Sequence, residues 1–358
     1  MKKISRIRMV LVLSGVVAAM FMLHVKSGEE SEQVLDRAMR TKTIDALVAQ
    51  LNDHYVFPDK ARKMTAVLRR HEQEGKYDRI ANGYRLAKQL TADLHGVTRD
   101  LHMKVGYHPA MVMPDEADEG GGPAPASRAQ PEQQTGFLAR LMQRRPAAAR
   151  GVELVGRLGN NIGYLKITSF PDASLMREKY AEAMNELAGT DGLIMDLRGH
   201  RGGDPQAVAA LISYFVDGRT RLNDIWERDT GNTVQHWTED KLAGRRYGAR
   251  KPVMILVDSG TGSAGEDVAY TMQALKRATV IGERTWGGAH PTRTYRLGGH
   301  FYASIPNRRS ISPITGTNWE GMGVAPDIDA SPDSALAVAK DRMLRRLREH
   351  AALVAAAR

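Results

Sequence analysis

The sequence predicts an α/β core preceded by a small helical domain, and three observations carry that prediction. Residues 30 to 101 place apolar side chains at helical spacing. From Gly151 onward, short apolar runs alternate with amphipathic stretches across Gly-rich loops. Between the two, from Pro114 to Gln134, the composition collapses to Gly, Pro, Ala, Glu and Gln around Gly120-Gly-Gly122, from which no packed core can be built. At 358 residues and 42% hydrophobic, the chain can fill one large or two ordinary domains. The expected divisions are an N-terminal segment over 1–27, a helical domain over 28–107, a Pro/Gly-rich linker or insertion over 108–150, an α/β core over 151–330 and a C-terminal helix over 331–358.

The N-terminal segment reads as an export signal. Lys2, Lys3, Arg6 and Arg8 precede an apolar run from Met9 to Val25, broken only by Ser14 and His24. The run is short for a membrane span and no clean A-x-A site ends it. Residues 9–25 are therefore either part of a cleaved signal peptide or a retained membrane anchor. The basic residues ahead of it place the rest of the chain across the membrane, in the periplasm or cell envelope. Cysteine is absent, which excludes disulfides, thiolate metal sites, a cysteine nucleophile and a lipobox anchor. The net charge of +10 is dispersed without interleaved aromatics, so it reads as a solvated surface and no nucleic-acid partner is expected.

In the helical region Ile44, Leu47, Val48 and Leu51 recur at i, i+3, i+4 and i+7 and bury one face. Pro58-Asp59 breaks and restarts the pattern, and Tyr84, Ala87 and Leu90 mark a third amphipathic segment. Asp100-Leu-His-Met-Lys-Val-Gly-Tyr107 alternates as a strand does. Past the insert, Ile162–Ile167 and Gly192–Leu197 read as strands and Ser174–Leu187 as a helix. The loop Arg198-Gly-His-Arg-Gly-Gly-Asp204 fits neither a P-loop nor G-x-G-x-x-G. Asp204 supplies an N-cap, Pro205 a first helical position, and Val208, Leu211, Ile212 and Phe215 a buried stripe. Gly202 and Gly203 either line a pocket with their N–H groups or simply make a tight turn.

Val253–Val257 reads as a buried strand running into Asp258-Ser-Gly-Thr-Gly-Ser-Ala-Gly-Glu266 and a helix over Asp267–Leu275. A serine at that junction, flanked by glycines, can present its hydroxyl where the N–H groups of a helix start converge, the geometry of an activated nucleophile. Ser263 and Glu266 equally fit an S-x-x-E capping box, which needs no chemistry.

Four segments in order resemble the S41 serine peptidases: Asn161-Ile-Gly-Tyr-Leu, Asp196-Leu-Arg-Gly-His-Arg-Gly-Gly203, Thr261-Gly-Ser-Ala-Gly-Glu266 and Gly282-Glu-Arg-Thr-Trp-Gly-Gly-Ala-His-Pro291. That group holds the tail-specific or C-terminal processing peptidases, tricorn core protease and the retinoid-binding repeats of interphotoreceptor matrix. Pro313-Ile-Thr-Gly-Thr-Asn-Trp-Glu-Gly-Met-Gly-Val-Ala-Pro-Asp327, with the helical region ahead of Asp100, resembles the retinoid-binding-protein-like branch. The resemblance covers roughly Ile44 to Asp327 apart from the insert. It implies a ββα-spiral core of the ClpP/crotonase type behind a helical N-terminal domain, with no PDZ domain between Tyr107 and Gly151.

The sequence departs from the processing peptidases at one position. Those enzymes activate serine with a lysine, in a segment resembling Gly282 to Gly288 that ends Gly-Lys-Gly; Gly288 stands at the matching place here. Lys276, nearer in sequence, belongs to the solvated side of the expected helix. The resemblance to tricorn-like members instead assigns the base to His102, in Asp100-Leu-His102, and the supporting carboxylate to Glu320. His102 could equally be a hydrogen-bonded structural histidine, and Glu320 a solvated loop carboxylate. His290 is the reserve base. In this scheme Ser263 attacks a peptide carbonyl, His102 carries the proton, Ala264 and Gly202 or Gly203 hold the oxyanion, and Glu266 supports them. The expected partner is a protein or peptide substrate. No metal or organic cofactor is implied, since no His/Asp cluster stands at ligand spacing and no dinucleotide fingerprint appears. The rival reading is a non-catalytic carrier of a retinoid-like or lipid-like ligand, or of protein C-termini, on the same fold.

Overall fold

The computed structural model of the chain describes residues 34–109 and 151–356. The export segment, the insert over Pro114–Gln134 and the expected absence of a PDZ-like stretch fall outside those residues. Among the described residues, no helix is long and apolar enough to cross a membrane.

Three helices open the structure: α1 (Arg37–His54), α2 (Pro58–Gln73) and α3 (Gly83–Thr98). Each start has a local cause. Asp36 caps α1 by accepting the Met39 N–H at 2.7 Å, Pro58 takes the first turn of α2, and Asn82 caps α3 by accepting the Arg85 N–H at 2.9 Å. Ile44, Leu47 and Leu51 are buried as their spacing predicts. On α3 the buried stripe is Leu86, Ala87, Leu90 and Leu94, and Tyr84 is exposed, because the i, i+4, i+8 row of leucines sets the helix rotation. The tyrosine ring packs edge-on against Tyr107 instead.

Arg99 ends α3 with φ 54°, a left-handed turn that redirects the chain. Residues 100–103 then form a turn, closed by the Met103 N–H donating to the Asp100 carbonyl at 3.1 Å. The strand expected from Asp100 therefore begins only at Lys104: β1 spans Lys104–Tyr107. It pairs antiparallel with β10 (Phe301–Pro306), which pairs with β9 (Thr292–Arg296). Leu297, Phe301, Ala303 and Ile305 of that hairpin share one core with Leu47, Leu51, Leu90 and Leu94. The helical unit thus completes its core with residues almost 200 positions downstream.

The second core surrounds a six-stranded sheet in the order β12-β8-β7-β4-β3-β2. Its strands are β2 (Val152–Leu158), β3 (Ile162–Ile167), β4 (Gly192–Asp196), β7 (Val253–Val257), β8 (Thr279–Gly282) and β12 (Ile328–Asp329). All neighbours are parallel except β2 on β3. Strand alternation feeds both faces. Leu193, Met195, Val253 and Ile255 pack under α4 (Ala173–Leu187), α5 (Pro205–Ile212) and α6 (Ala264–Ala274). Ile194, Met254, Leu256 and Ile281 pack against Ala335, Ala339 and Met343 of α7 (Ala335–Ala356). Lys276 lies past the end of α6 with φ 54°, not on the helix the spacing suggested. A small antiparallel sheet of β11 (Arg308–Ile311), β5 (Asp224–Glu227) and β6 (Thr233–Val234) completes the fold.

Candidate active site

Strands β4, β7 and β8 lie side by side and parallel, so the loops leaving their carboxyl ends share one edge of the sheet. Open α/β sheets form their clefts at that edge. Here the loops are residues 197–204, 258–263 and 283–291.

The loop after β7 is tied to its neighbour at several points. Asp258 Oδ1 accepts the N–H groups of Gly260 at 3.0 Å and of Gly199 at 2.8 Å. The Gly262 N–H donates to the His200 carbonyl at 2.9 Å, and the Thr261 hydroxyl to the Leu197 carbonyl at 2.8 Å. So held, Ser263 takes φ 54°, ψ −121°. Such a backbone costs a non-glycine residue ~1–3 kcal/mol and persists only where its surroundings enforce it. The Ser263 side chain faces the N3 backbone, one half of the capping box that S-x-x-E predicts. The helix start is closed from the other side, by Glu266 Oε2 accepting the Ser263 N–H at 2.8 Å. Capping therefore accounts for both side chains, and what it leaves unexplained is the strained Ser263 backbone.

Glu266 is fully buried and fully engaged. Besides Ser263 it accepts from the Thr285 hydroxyl at 2.6 Å and from the N–H groups of Gly287 at 2.6 Å and Gly288 at 2.9 Å. Burial pushes its carboxyl above the usual range, and the four donors pull the other way without cancelling it. The effect is to lock the loop after β8 to the serine.

The Gly-rich loop lies directly against the serine. A Cβ on Gly202 would sit 2.6 Å from Ser263 Cβ, and one on Gly203 1.8 Å from the Phe170 carbonyl oxygen, with φ values of 87° and 140°. Of the two expected oxyanion donors, Gly202 is committed elsewhere: its N–H donates to His200 Nδ1 at 2.9 Å. Burial holds His200 down to about 3, so its ring stays neutral and keeps accepting that bond. Gly203 is left, and it lines the same cavity as Ala264.

That cavity, of about 870 Å³, brings Ser263, Gly203 and Ala264 together with His102, Trp286 and His290. His102 arrives from the turn after α3, across the sheet pairing of β1 and β10. Its ring meets Trp286 edge-on at 4.9 Å. A Cβ on Gly288 would lie 2.5 Å from His102 Cε1 and 2.5 Å from the Trp286 ring. The place where processing peptidases carry a lysine is thus filled by the imidazole and the indole.

Behind His102 stand two carboxylates. One side-chain atom each of Asp100, His102 and Glu320 lies within 4.8 Å of the others. Glu320 Oε2 accepts the N–H groups of Ala289 at 2.6 Å and His290 at 3.1 Å. Asp100 Oδ2 accepts the Tyr55 hydroxyl at 3.1 Å and lies 3.0 Å from His290 Nδ1, which is 3.4 Å from Glu320 Oε2. His290, the reserve base, is thereby wedged between the two acids. Burial, with Asp100 acting in the same direction, pushes Glu320 up to about 7, against His290 and the two N–H groups. Burial also lowers His102, helped by His290 and opposed by Asp100, so the ring is neutral at neutral pH.

Sequence reasoning did not assign Asp100, His200 or Trp286 a role. Asp100 stood in the quoted Asp-Leu-His segment, where an acid beside a candidate base was the available signal. The contact of Trp286 with His102 is tertiary and left none, and the bond from Gly202 to His200, though only two residues long, lies in a loop without a regular pattern to read.

A strained serine at a strand-to-helix turn and a neutral imidazole in one cleft, with two carboxylates grouped beside the imidazole, make a serine-hydrolase class of site. Residues 161–330 match the model of peptidase family S41, and residues 30–143 match the N-terminal domain of S41 peptidases in eukaryotic IRBP. The chain belongs to peptidase family S41. It is 30% identical over 131 residues to the carboxyl-terminal-processing protease of Synechocystis sp., covering 37% of this chain and 29% of that protein. It is 28% identical over 228 residues to the chloroplastic carboxyl-terminal-processing peptidase 2 of Arabidopsis thaliana, covering 59% and 41%. The chain therefore spans less than half the length of these relatives. The structure of tricorn protease shares the fold, with a TM-score of 0.54 at 15% identity over 87% of this chain and 37% of that one.

Proposed function

We propose that this chain hydrolyses peptide bonds by acyl transfer through Ser263, His102 and Glu320. The observation that carries the reading is the substitution of space at Gly288: the room for a lysine is taken by an imidazole that faces the same cavity as the strained serine. Ser263 Oγ attacks the scissile carbonyl and His102 Nε2 takes its proton. The resulting oxyanion is met by the N–H groups of Ala264 and Gly203, each such donor contributing ~3–4 kcal/mol to the transition state. His102 returns the proton to the leaving amine, and water then releases the acyl group by the same steps in reverse order. Glu320 orients the ring and offsets the charge on the imidazolium.

The substrate in this reading is a protein or peptide segment. Two relatives are named for carboxyl-terminal processing, which makes protein C-termini the first substrates to assay. Lys2 to Arg8 followed by the apolar run Met9–Val25 supports a cell-envelope location for the enzyme, which cell fractionation checks.

A fluorophosphonate probe tests the mechanism. It should label the purified protein on Ser263, as located by peptide mapping, and fail on Ser263→Ala. Peptide turnover should fall at least ~10³-fold in Ser263→Ala and in His102→Ala alike, with the double variant no worse, because the two act as a unit. Absence of labelling on Ser263 would return the chain to the carrier reading.

A further inference from the structure

Three polar atoms behind the base have more hydrogen-bonding capacity than the protein satisfies. Asp100 Oδ1, His102 Nδ1 and Glu320 Oε1 are all buried without a hydrogen-bond partner among the described residues. They belong to the same three side chains whose ligand atoms lie within 4.8 Å of one another, and Asp100 is only 1% exposed. A proton on His102 Nδ1 can serve one carboxylate oxygen, which leaves the other without a donor. The remaining oxygens are already used, Glu320 Oε2 by Ala289 and His290 and Asp100 Oδ2 by Tyr55 and His290. Two acids and one imidazole therefore each keep one buried, unpartnered atom within a single cluster, and the His290 ring lies between the acids. One imidazole nitrogen with two carboxylate oxygens is a donor set for borderline divalent ions such as zinc. A triangle of that edge needs an inward shift of only ~1 Å to reach zinc-ligand distances, within the freedom of the two carboxyl rotors. The three ligands come from a helix-following turn and a distant loop, so no spacing in the sequence announces them.

We propose that Asp100, His102 and Glu320 form a binding site for a zinc-class divalent cation, and that the bound ion switches the peptidase off. The binding half rests on this geometry alone; the inhibitory half rests on His102 being the base. Catalysis needs the proton on Nδ1 and a free lone pair on Nε2. An ion on Nδ1 forces the ring proton onto Nε2, which can then no longer accept from Ser263. The second consequence is positional, since the coordinated ring cannot swing between serine and leaving group.

The test uses the full chain carrying Ser263→Ala, so that binding is read without turnover. Titration with zinc chloride at pH 7.5 by calorimetry should give one saturable ion per chain. Asp100→Asn and Glu320→Gln should each weaken it at least tenfold. His54→Gln, which removes the surface pair of His54 with Asp229, should leave it unchanged. Cobalt(II) should give visible absorption bands that vanish in the same two variants. Circular dichroism checks each fold, and His102→Gln replaces any variant that fails it. No saturable binding, or binding that survives both acid substitutions, overturns the site. In the wild-type chain the same zinc concentration should abolish peptide turnover, and a chelator should restore it. Stoichiometric binding with undiminished turnover would keep the ion site, overturn the switch, and remove His102 from the role of base.

Discussion

At the scale of single residues, the site is governed by what burial does to its ionisable groups. His102 titrates below its ordinary value, so it is unprotonated and able to accept at neutral pH. Glu320 is the later group to ionise, at about 7. Below that pH it is protonated and cannot offset the imidazolium; above it, it can. The expected kcat/KM profile therefore falls on the acid side through an apparent pKa near 7, and Glu320→Gln should move that limb to lower pH while lowering the plateau. The same substitution carries a stability signature. A carboxyl raised above its unfolded value favours the folded state while protonated, and that advantage is lost as pH rises from the ordinary carboxylate range through about 7. Thermal melts should accordingly show Glu320→Gln gaining on the wild type between pH 5 and pH 8. A wild-type profile flat down to pH 5 would remove Glu320 from the mechanism.

Among the elements, three loops at the carboxyl ends of β4, β7 and β8 make the serine side of the site, and Glu266 is the clamp between two of them. Its two oxygens take donors from Ser263 on one loop and from Thr285, Gly287 and Gly288 on the other. A displacement in the loop after β8 is thus passed to both His102 and the serine. Gly288→Ala places a methyl where His102 Cε1 and the Trp286 ring now are. The indole and imidazole must move, and a misplacement of ~1 Å is worth about 100-fold in rate. The expected result is a kcat loss of that order with KM and the melting temperature little changed. A Gly288→Ala enzyme of full activity would show that the His102 position seen here is not the one that works.

For the whole molecule, the site is assembled between two cores. His102 and Asp100 follow α3 of the helical unit, whereas Ser263 and Glu320 belong to the α/β part. The two are sewn together by β1 on β10 and by Phe301, Ala303 and Ile305 packed among the leucines of α1 and α3. The composition of Pro114–Gln134 makes it the preferred site for limited proteolysis. Cleavage there should leave two fragments that co-elute on gel filtration and retain peptidase activity, because β1 and its cluster hold them. Fragments that separate under native conditions would contradict the shared core. Leu90→Ala, which opens a cavity in that core at a cost of ~2–5 kcal/mol, should weaken their association.

Periodicity alone determined much of the architecture. Strands Ile162–Ile167 and Val253–Val257, the Asp204-Pro205 helix start and the helical region ahead of Asp100 were all legible, since each rests on interactions within a few residues. Ser263 was legible as a candidate because a serine among glycines between an apolar strand and a helix has few local explanations. Tertiary structure alone decided the rest. The capping box formed as its spacing predicts, and only the tertiary structure shows that Glu266 also ties the loop after β8 to the serine. Gly202 and Gly203 look alike in sequence, yet His200 takes the N–H of the first and leaves the second facing the cavity. The strand expected from Asp100 became a turn, which is what brings Asp100 and His102 to residues 288 and 320. Contacts across 190 positions depend on how two cores pack, and local patterning carries no record of that.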